Sequence, residues 1–311
     1  MTRVTTSAAS AKPTEAGPSP EAVLPAVRDL AATAARTAGV TVRTVDDVTG
    51  IAAVADFFCD VWKTPRSTPP YPAEVLHSLV HAGGAVHAAY DGERMAGASV
   101  AVFGPPDARD VYSFVAAAAA SDRGVGHAVK QAQRVWALER GARTMRWTFD
   151  PLVGRNARFN LAKLGGTGTE YLVDFYGPMA DGVNEGDESD RLTVTWDLVA
   201  PGTGDDTNGT DDVQAEVTYR APDGGPLATR APDGSRIRCR VPHDIVALRA
   251  ADPALALRWR HAVREVFTAA FAEGFTATGM SRDGWYTLTR PLSSEDHGQD
   301  PHRTTTEVPQ A

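Results

Sequence analysis

The chain has 311 residues, enough for one large or two modest domains, and 42% of them are hydrophobic, which is typical of a globular protein. Its formal net charge of −8 gives no support to nucleic-acid binding, and no apolar run is long enough to span a membrane. The only cysteines, Cys59 and Cys239, indicate neither a disulfide scaffold nor a zinc site. With no secretory signal visible, we expect a cytoplasmic protein that uses no metal and binds neither nucleic acid nor membrane.

The first third of the chain begins with a polar segment. Residues 1–20 are rich in Ala, Ser, Thr and Pro and are expected to be disordered, and an alanine-rich helix is predicted from there to Gly39. A strand follows at 40–45, and Asp91-Gly92 indicates a hairpin between two further strands. The spacing of apolar residues predicts the other elements, which are helices over 46–62 and 73–84 and a strand from 111.

The middle of the chain changes its hydrophobic period sharply. Apolar residues recur at helical spacing from Val125, Gly141 is placed to end that helix, and alternation over 144–149 indicates a strand. The same reasoning predicts a helix over 155–164 and strands over 169–177 and 191–199.

Beyond an acidic, Gly- and Thr-rich linker at 201–214, the sequence predicts a second region. The stretch "RAPDG" occurs at 220–224 and at 230–234, which fits two successive turns of a small meander. A strand over 236–241, a helix that Asp252-Pro253 opens and a hairpin over 275–290 follow. We expect the arginines of that helix to face solvent; they are Arg258, Arg260 and Arg264.

The stretch "SDRGVGHA" at 121–128 lies between a predicted strand and a predicted helix. The first N–H groups of a helix are unpaired and its dipole adds positive charge, so such a place binds phosphate oxygens. Gly124 and Gly126 would let a ligand approach the backbone closely. Taken alone, the two glycines fit a tight turn equally well.

Three kinds of phosphate-binding loop can be compared with this stretch. A Walker loop needs Gly-Lys followed by Ser or Thr, which is absent. A dinucleotide-binding fingerprint needs a third glycine, where Val129 stands, and a hairpin precedes the loop instead of a parallel unit. The third kind is the coenzyme A loop, whose pattern is Gln/Arg-x-x-Gly-x-Gly/Ala between a strand and a helix of a mainly antiparallel sheet.

The sequence from "RGVGHAVKQAQRVWALERG" through "RNARFNLAKLG", "EYLVDFYG" and "DRLTVTWDL" closely resembles a branch of predicted acetyltransferases of the GNAT superfamily. The resemblance covers the element order over roughly 40–200, and 236–290 is similar to the C-terminal extension of that branch. It implies an α+β, GNAT-like fold, with a mixed, mostly antiparallel sheet flanked by helices and a smaller α+β C-terminal extension. The implied parts are a disordered tail with a short helix at 1–35, a GNAT-like acyl-CoA-binding catalytic domain at 36–200, the linker at 201–214, the extension at 215–292 and a disordered tail at 293–311.

The resemblance also implies direct transfer of an acyl group from acyl-CoA, most simply acetyl-CoA, to the amine of a small molecule. Pyrophosphate would bind the loop backbone, and pantetheine would pair along the third strand, with asparagines of the next helix as further partners. The residues implied in these contacts are Arg123, Gly124, Val125, Gly126 and His127 in the loop, Ala116 and Ala118 on the strand, and Asn156 and Asn160 on the helix.

Two positions depart from the pattern of the family. Ser121 stands where Gln or Arg is usual, and Leu161 stands where many members have the tyrosine that protonates the leaving thiolate. The candidate replacements are Tyr171 and Tyr176 as acids and a carboxylate such as Asp150 or Asp174 as base. Each also has a structural interpretation, as a half-buried sheet tyrosine or a turn-forming aspartate, and a proton relay through water would need none of them.

A non-catalytic acyl-CoA-binding or sensor protein is the second interpretation, and Ser121 and Leu161 favour it. A nucleotide-dependent oxidoreductase is the third, against which the missing third glycine counts. The sequence is compatible with a homodimer. It leaves open the acceptor amine, the acyl chain length and the role of the extension.

Overall fold

The computed structural model describes residues 3–5, 17–105, 108–119, 124–179, 186–201 and 215–291. Within these ranges the helices are α1 Pro20–Ala38, α2 Val48–Trp62, α3 Ala73–His81, α4 Val125–Leu138, α5 Gly154–Arg158, α6 Ile245–Ala251 and α7 Pro253–Ala272, and a π-helical turn at Phe159–Lys163 continues α5. The strands are β1 Arg3–Thr5, β2 Thr41–Thr44, β3 Ala85–Asp91, β4 Arg94–Phe103, β5 Asp110–Ala118, β6 Thr144–Phe149, β7 Thr167–Leu172, β8 Arg191–Asp197, β9 Glu216–Arg220, β10 Pro226–Arg230, β11 Arg236–Arg240, β12 Thr276–Met280 and β13 Trp285–Thr289.

All of these strands join one sheet. Their order is β2-β3-β4-β5-β6-β8-β7-β12-β13-β11-β10-β9, and β1 also pairs with β7. In the described part of the chain β5 and β6 are the one parallel pair, and the other pairs are antiparallel. The predicted α+β class, with a mixed, mostly antiparallel sheet flanked by helices, is therefore confirmed.

Helices cover both faces of the first strands. Because side chains alternate along a strand, Val86 and Ala88 of β3 pack in the cluster with Phe58 of α2, whereas Ala89 packs on the opposite face. There α1 and α4 lie against each other and against the sheet, and Val129 of α4 is buried between them. The sheet thus has an α2–α3 face and an α1–α4 face, and the two faces matter for the site.

Local sequence signals explain where the helices begin. The carboxylate of Asp47 accepts a hydrogen bond from the Gly50 N–H at 2.8 Å and caps α2. Asp252 does the same for α7 with the Leu255 N–H at 2.9 Å, and Pro253 fills the first position, where no N–H partner is needed. The cap of α7 confirms the sequence-based prediction that Asp252-Pro253 opens this helix.

The C-terminal region extends the same sheet. Ala277 of β12 pairs with Gly168 of β7, and β13, β11, β10 and β9 follow outward. The two "RAPDG" stretches form the turns between β9, β10 and β11, so the predicted meander is confirmed. Helix α6 was not predicted, because seven residues are too few to establish a helical period.

Two other segments differ from the sequence-based prediction. The strand predicted over 169–177 ends at Leu172, because the Asp174 backbone takes a left-handed conformation with φ 45° and its carboxylate accepts the Ser189 N–H at 3.1 Å. Tyr176 therefore lies in a turn. Residues 3–5, within the predicted N-terminal tail, form β1 beside β7.

Some predictions fall outside the described residues. They concern Ser121 and Arg123 of the glycine loop, most of the acidic linker and the C-terminal tail. The boundaries assigned to the catalytic domain and to its extension stay predictions.

Candidate active site

The parallel strands β5 and β6 stay together over only three residue pairs. These run from Asp110 opposite Thr144 to Tyr112 opposite Arg146. Beyond them β5 continues to Ala118 beside β4 alone, and β6 continues beside β8 alone. A bulge at Phe114 bends β5 at the same point. A gap therefore opens between the two strands. The edge of β5 that faces this gap has no strand partner among the described residues, while its other edge stays paired with β4.

Helix α4 begins beside this gap, because Val125 lies against Gly97, the β4 partner of Ala118, and Gly126 faces Phe159 in the segment after β6. Its N-cap, Gly124, has φ +81°, a conformation that favours glycine, and no side chain in the described part of the chain caps the first N–H groups. Within the described ranges, a Cβ added to Gly126 would meet the edge of Phe159, at 3.9 Å. Burial, with Lys163 nearby, lowers the pKa of His127 to about 4, so this imidazole is neutral at pH 7.

A buried polar cluster lies on the α1–α4 face of the gap. It consists of Ser113, Lys130, Gln133 and Trp147, and we call it the lysine cluster. The Lys130 ammonium donates to Ser113 Oγ at 2.8 Å and lies 3.7 Å from the centre of the Trp147 ring. The Ser113 hydroxyl donates in turn to Gln133 Oε1 at 2.9 Å.

The electrostatics of Lys130 are unusual for a lysine. Its side chain is 4% exposed, and burial lowers its pKa from 10.5 to about 7. No carboxylate among the described residues compensates its charge. A lysine in this state exchanges its proton near neutral pH.

Hydroxyl groups gather on the other face of the gap. Tyr176 Oη lies 3.4 Å from Thr148 Oγ1, and both interact with the Tyr112 hydroxyl, whose pKa is raised mainly by burial. Tyr112 and Thr148 neighbour Ser113 and Trp147 in sequence, so the alternation of the strands sends them to opposite faces.

Aromatic rings extend this hydroxyl side. Phe114, at the bulge, is 41% exposed, and its ring centre lies 5.6 Å from that of Tyr71. Tyr71 contacts Trp62 at 5.6 Å and Phe58 at 5.3 Å. The gap thus has a cationic, buried side and an aromatic, hydroxyl-bearing side.

Several of the predicted binding residues belong to elements that border this gap. Ala116 and Ala118 lie on the part of β5 that has left β6, and Gly124, Val125, Gly126 and His127 form the start of α4. Asn160 is buried in the π-helical turn and accepts a hydrogen bond from Trp147 Nε1 at 3.3 Å. Asn156 is exposed on α5. Whether these residues contact a ligand stays a prediction.

Asp150 and Tyr171 lie in a different environment, a buried network that we call the ion cluster. Its acidic members are Asp150, Asp187, Glu188 and Asp190, and its basic members are Arg191, Arg249, Arg260 and Arg264. Arg260 binds Asp150 through two hydrogen bonds, at 2.7 and 3.0 Å.

The side-chain functional groups of Asp150 and Tyr171 are both bound within the ion cluster. Burial raises the pKa of Asp150, but the charge and hydrogen bonds of Arg260 outweigh it and the pKa falls to about 2. The Tyr171 hydroxyl donates to Asp190 at 2.7 Å, and burial and that carboxylate raise its pKa well above its usual value. A carboxylate that is reluctant to take a proton and a phenol that is reluctant to lose one are poorly suited to acid–base catalysis at neutral pH.

The prediction that the α7 arginines face solvent is wrong for two of the three. Arg260 is 1% exposed and Arg264 is 22% exposed, because both pair with carboxylates of the segment between β7 and β8, and Arg260 also pairs with Asp150, which follows β6. Arg258 is exposed as predicted. Helical spacing could not reveal partners that lie about seventy residues away in sequence.

Sequence reasoning missed the lysine cluster and Tyr112. One signal was available, because Gly126, Lys130, Gln133 and Ala137 recur at intervals of four, three and four residues. This spacing places them on one face of α4, beside the apolar positions. Lys130 and Gln133 are therefore polar residues on a buried stripe, an arrangement that calls for an explanation.

Three further observations concern cavities, metal-binding groups and membrane-spanning helices. A cavity of about 390 Å³ lies between α1, α4 and β2, but no residue of β5 or β6 lines it. Within the described ranges, no group of three or more His, Cys, Asp or Glu side chains could hold a metal ion. None of the described helices has the length and apolar composition required to cross a bilayer.

No family model matches the chain, and no curated protein sequence matches it. Solved structures do match. A protein from Desulfovibrio desulfuricans that is assigned to the GNAT family of acetyltransferases is 17% identical, with 51% of this chain and 99% of that chain covered and a TM-score of 0.38. The ribosomal-protein-S18-alanine N-acetyltransferase of Escherichia coli is 14% identical, with 52% and 96% covered and a TM-score of 0.41. YncA of Salmonella typhimurium, an assigned acetyltransferase solved with acetyl-CoA, is 14% identical, with 56% and 99% covered and a TM-score of 0.41. All three of these structures are described as acetyltransferases.

Proposed function

We propose that the protein is an acyl-CoA-dependent N-acyltransferase, with acetyl-CoA as the acyl donor and the amine of a small molecule as the acceptor. The observation that carries this proposal is the divergence of β5 and β6 beside the start of α4. This geometry offers an anion site, an unpaired strand edge and access from two faces in one place.

The residues present fit the phosphate end of such a donor. Among the described residues no side chain caps the N–H groups at the start of α4, and the fourteen-residue helix adds positive potential to them. Space beside Gly126 is open, and neutral His127 lies in the same turn. Arg123 would add a positive charge from the preceding loop.

The edge of β5 fits the amide chain of pantetheine. An extended ligand with amide groups can pair with a strand edge as an added strand does. Ala116 and Ala118 have small side chains there, so a ligand could approach the backbone without obstruction. A backbone N–H of the same edge would stabilise the oxyanion that forms when the amine attacks the thioester carbonyl.

The hydroxyl side fits the acceptor amine. Tyr112, Thr148 and Tyr176 can accept hydrogen bonds from an amine and orient its lone pair toward the gap. Tyr176, which is 51% exposed, is the predicted catalytic residue that belongs to this group of hydroxyls. The exposed ring of Phe114 favours an acceptor with an apolar or aromatic part.

The second candidate is a non-catalytic acyl-CoA sensor, and one observation favours it. Leu161, at the position of the usual acid, is buried in the π-helical turn, so no tyrosine reaches the gap from there. The two candidates differ in turnover. We expect acetyl-CoA to raise the melting temperature and free thiol to be released in the presence of a suitable amine from a panel.

Binding of acetyl-CoA without thiol release from any amine would support the sensor instead. A thermal shift with NAD(P) but none with CoA would contradict both candidates. The cytoplasmic location and a homodimer remain predictions from the sequence.

The glycine loop can be tested with Gly126→Glu. The new carboxylate would fill and repel the phosphate site, so we expect CoA affinity to fall at least roughly 100-fold while the circular dichroism spectrum stays unchanged. Ala254→Glu is the matched control, because Ala254 is the exposed second residue of α7, just as Gly126 is the second residue of α4. Unchanged CoA affinity in Gly126→Glu would rule out this loop as the phosphate site.

A further inference from the structure

Lys130 lies at the point where β5 and β6 separate. Ser113 is the first residue of β5 after the last parallel pair, and Trp147 holds the same place on β6. The ammonium touches both, through the hydrogen bond to Ser113 and the face of the Trp147 ring. One side chain of α4 thus spans the two strands at the vertex of the gap.

The partners of Lys130 are neutral. The Ser113 hydroxyl gives its proton to Gln133, so its oxygen accepts from the ammonium but supplies no negative charge. Burying an ammonium in this way is costly, and an apolar side chain of similar size would fit the stripe of α4 at lower cost. A costly residue at the candidate site, in an otherwise consistent sequence, points to a functional requirement.

The inference rests on the proposed function. We propose that Lys130 is the catalytic acid that protonates the leaving thiolate, the role that Leu161 cannot perform. The tyrosines of the hydroxyl side lie on the other face of the sheet, where the acceptor amine is placed in the proposed function. Lys130 is the acid on the face from which the donor would enter.

The proton balance of the step closes with the two substrates alone. The amine lone pair forms a bond to the thioester carbonyl carbon, and the C–S bond then breaks with its electron pair left on sulfur. A proton moves from Lys130 Nζ to that sulfur, which leaves a thiol and a neutral lysine. The proton that the amine nitrogen loses as it becomes an amide returns through water to Nζ. The net change is amine plus thioester to amide plus thiol.

The pKa of Lys130 suits this cycle. At about 7 it leaves a substantial protonated fraction at neutral pH and still allows the ammonium to release its proton readily. Because the acid form is the active one, kcat should decline as pH rises through this value. A lysine with the usual pKa of about 10.4 would cause no such decline of kcat below about pH 9.

The first test compares Lys130→Met and Lys130→Arg with wild type. We expect kcat to fall by roughly 10²–10⁴-fold in both, with CoA affinity within about threefold of wild type and no decline above pH 7. Arginine keeps the charge but not the exchangeable proton, so it separates acid catalysis from electrostatic support. Lys63→Met is the matched control, because Lys63 is exposed and outside the site. Full activity in Lys130→Arg, or a retained decline in Lys130→Met, would overturn the proposal.

A second measurement does not depend on turnover. Lysine occurs only at Lys12, Lys63, Lys130 and Lys163, so ¹⁵N-labelled ammonium signals can be assigned one by one with Lys130→Met as reference. We expect one signal to titrate near pH 7 and to shift when acetyl-CoA is added. If acetyl-CoA binds but leaves that signal unchanged, the role of Lys130 is disproved and the proposed function stands. If acetyl-CoA does not bind, the proposed function itself is contradicted. If acetyl-CoA binds but no amine is acylated, the non-catalytic sensor is the candidate that remains.

Discussion

Two buried groups of charges in this protein are built in opposite ways. The ion cluster joins four carboxylates to four guanidinium groups, and most of its members make several hydrogen bonds. The lysine cluster has one ammonium, a hydroxyl, an amide and an indole ring, with no opposing charge among the described residues. The charges of the ion cluster are neutralised by pairing, whereas the ammonium of the lysine cluster is buried without a carboxylate partner among the described residues, which is costly.

The difference separates structure from chemistry. Paired charges are held in one protonation state, as the low pKa of Asp150 shows, so they can fix α7 to the segment after β7 but cannot move protons. An unpaired ammonium sits near its titration point and can exchange a proton at neutral pH. The comparison predicts that mutations in the two clusters will have stability effects of opposite sign.

The largest effect is expected from Arg260→Met. It leaves Asp150 and Asp187 with Arg249 as their remaining salt-bridge partner among the described residues, in a buried site, so the free energy of unfolding should fall by about 3–5 kcal/mol. Urea unfolding followed by circular dichroism measures this change.

Arg258→Met is the control for this experiment, because Arg258 is an exposed arginine on the same helix. Its effect should stay within about 0.5 kcal/mol. Equal losses in the two variants would mean that α7 depends on helix propensity or on general charge, and the contrast between the clusters would lose its basis.

Lys130→Met should act in the opposite direction. Removing an uncompensated ammonium and keeping the volume of the side chain should raise the free energy of unfolding at pH 6 by about 1–4 kcal/mol. The bond to Ser113 is lost as well, which limits the gain. The variant would then be more stable and less active than wild type.

The stability difference between wild type and Lys130→Met should depend on pH, in a direction that follows from the lowered pKa of Lys130. In the unfolded chain Lys130 binds its proton up to pH 10.5, whereas in the folded protein it does so only up to about 7. Wild type should therefore gain stability from this group as pH rises from 7 toward 10.5, and Lys130→Met should not. The advantage of the variant should shrink between pH 6 and pH 9, and a constant difference would contradict the low pKa.

The sequence predicted most of the fold, because most elements carry a local signal. Examples are the Asp47 and Asp252 caps, the helical period that starts at Val125 and the alternation in β6. The end of β7 was missed, because the left-handed backbone at Asp174 depends on Ser189 and Asp190, about fifteen residues farther along. Local pattern carries no information about such partners.

The site was predictable only in outline. The glycines at the start of α4 have a motif, but the roles of Asp150 and Tyr171 are decided by Arg260 and Asp190, which the fold brings to them from other elements. Lys130 could have been noticed on its helical stripe, yet its lack of a carboxylate is a property of three-dimensional packing. The sequence located the site better than it identified the acid.

The smallest effect is expected from Glu273→Gln in the same C-terminal region. The Glu273 carboxylate accepts two hydrogen bonds from Arg230, both at 2.8 Å, much as Asp150 does from Arg260. Its side chain is 41% exposed, however, and it lies at the negative end of α7, where an acidic group is unfavourable. We expect a loss of at most about 1 kcal/mol, which ~1 M salt should abolish in thermal unfolding. A loss as large as that of Arg260→Met would mean that hydrogen-bond number, rather than burial, sets the strength of these clusters.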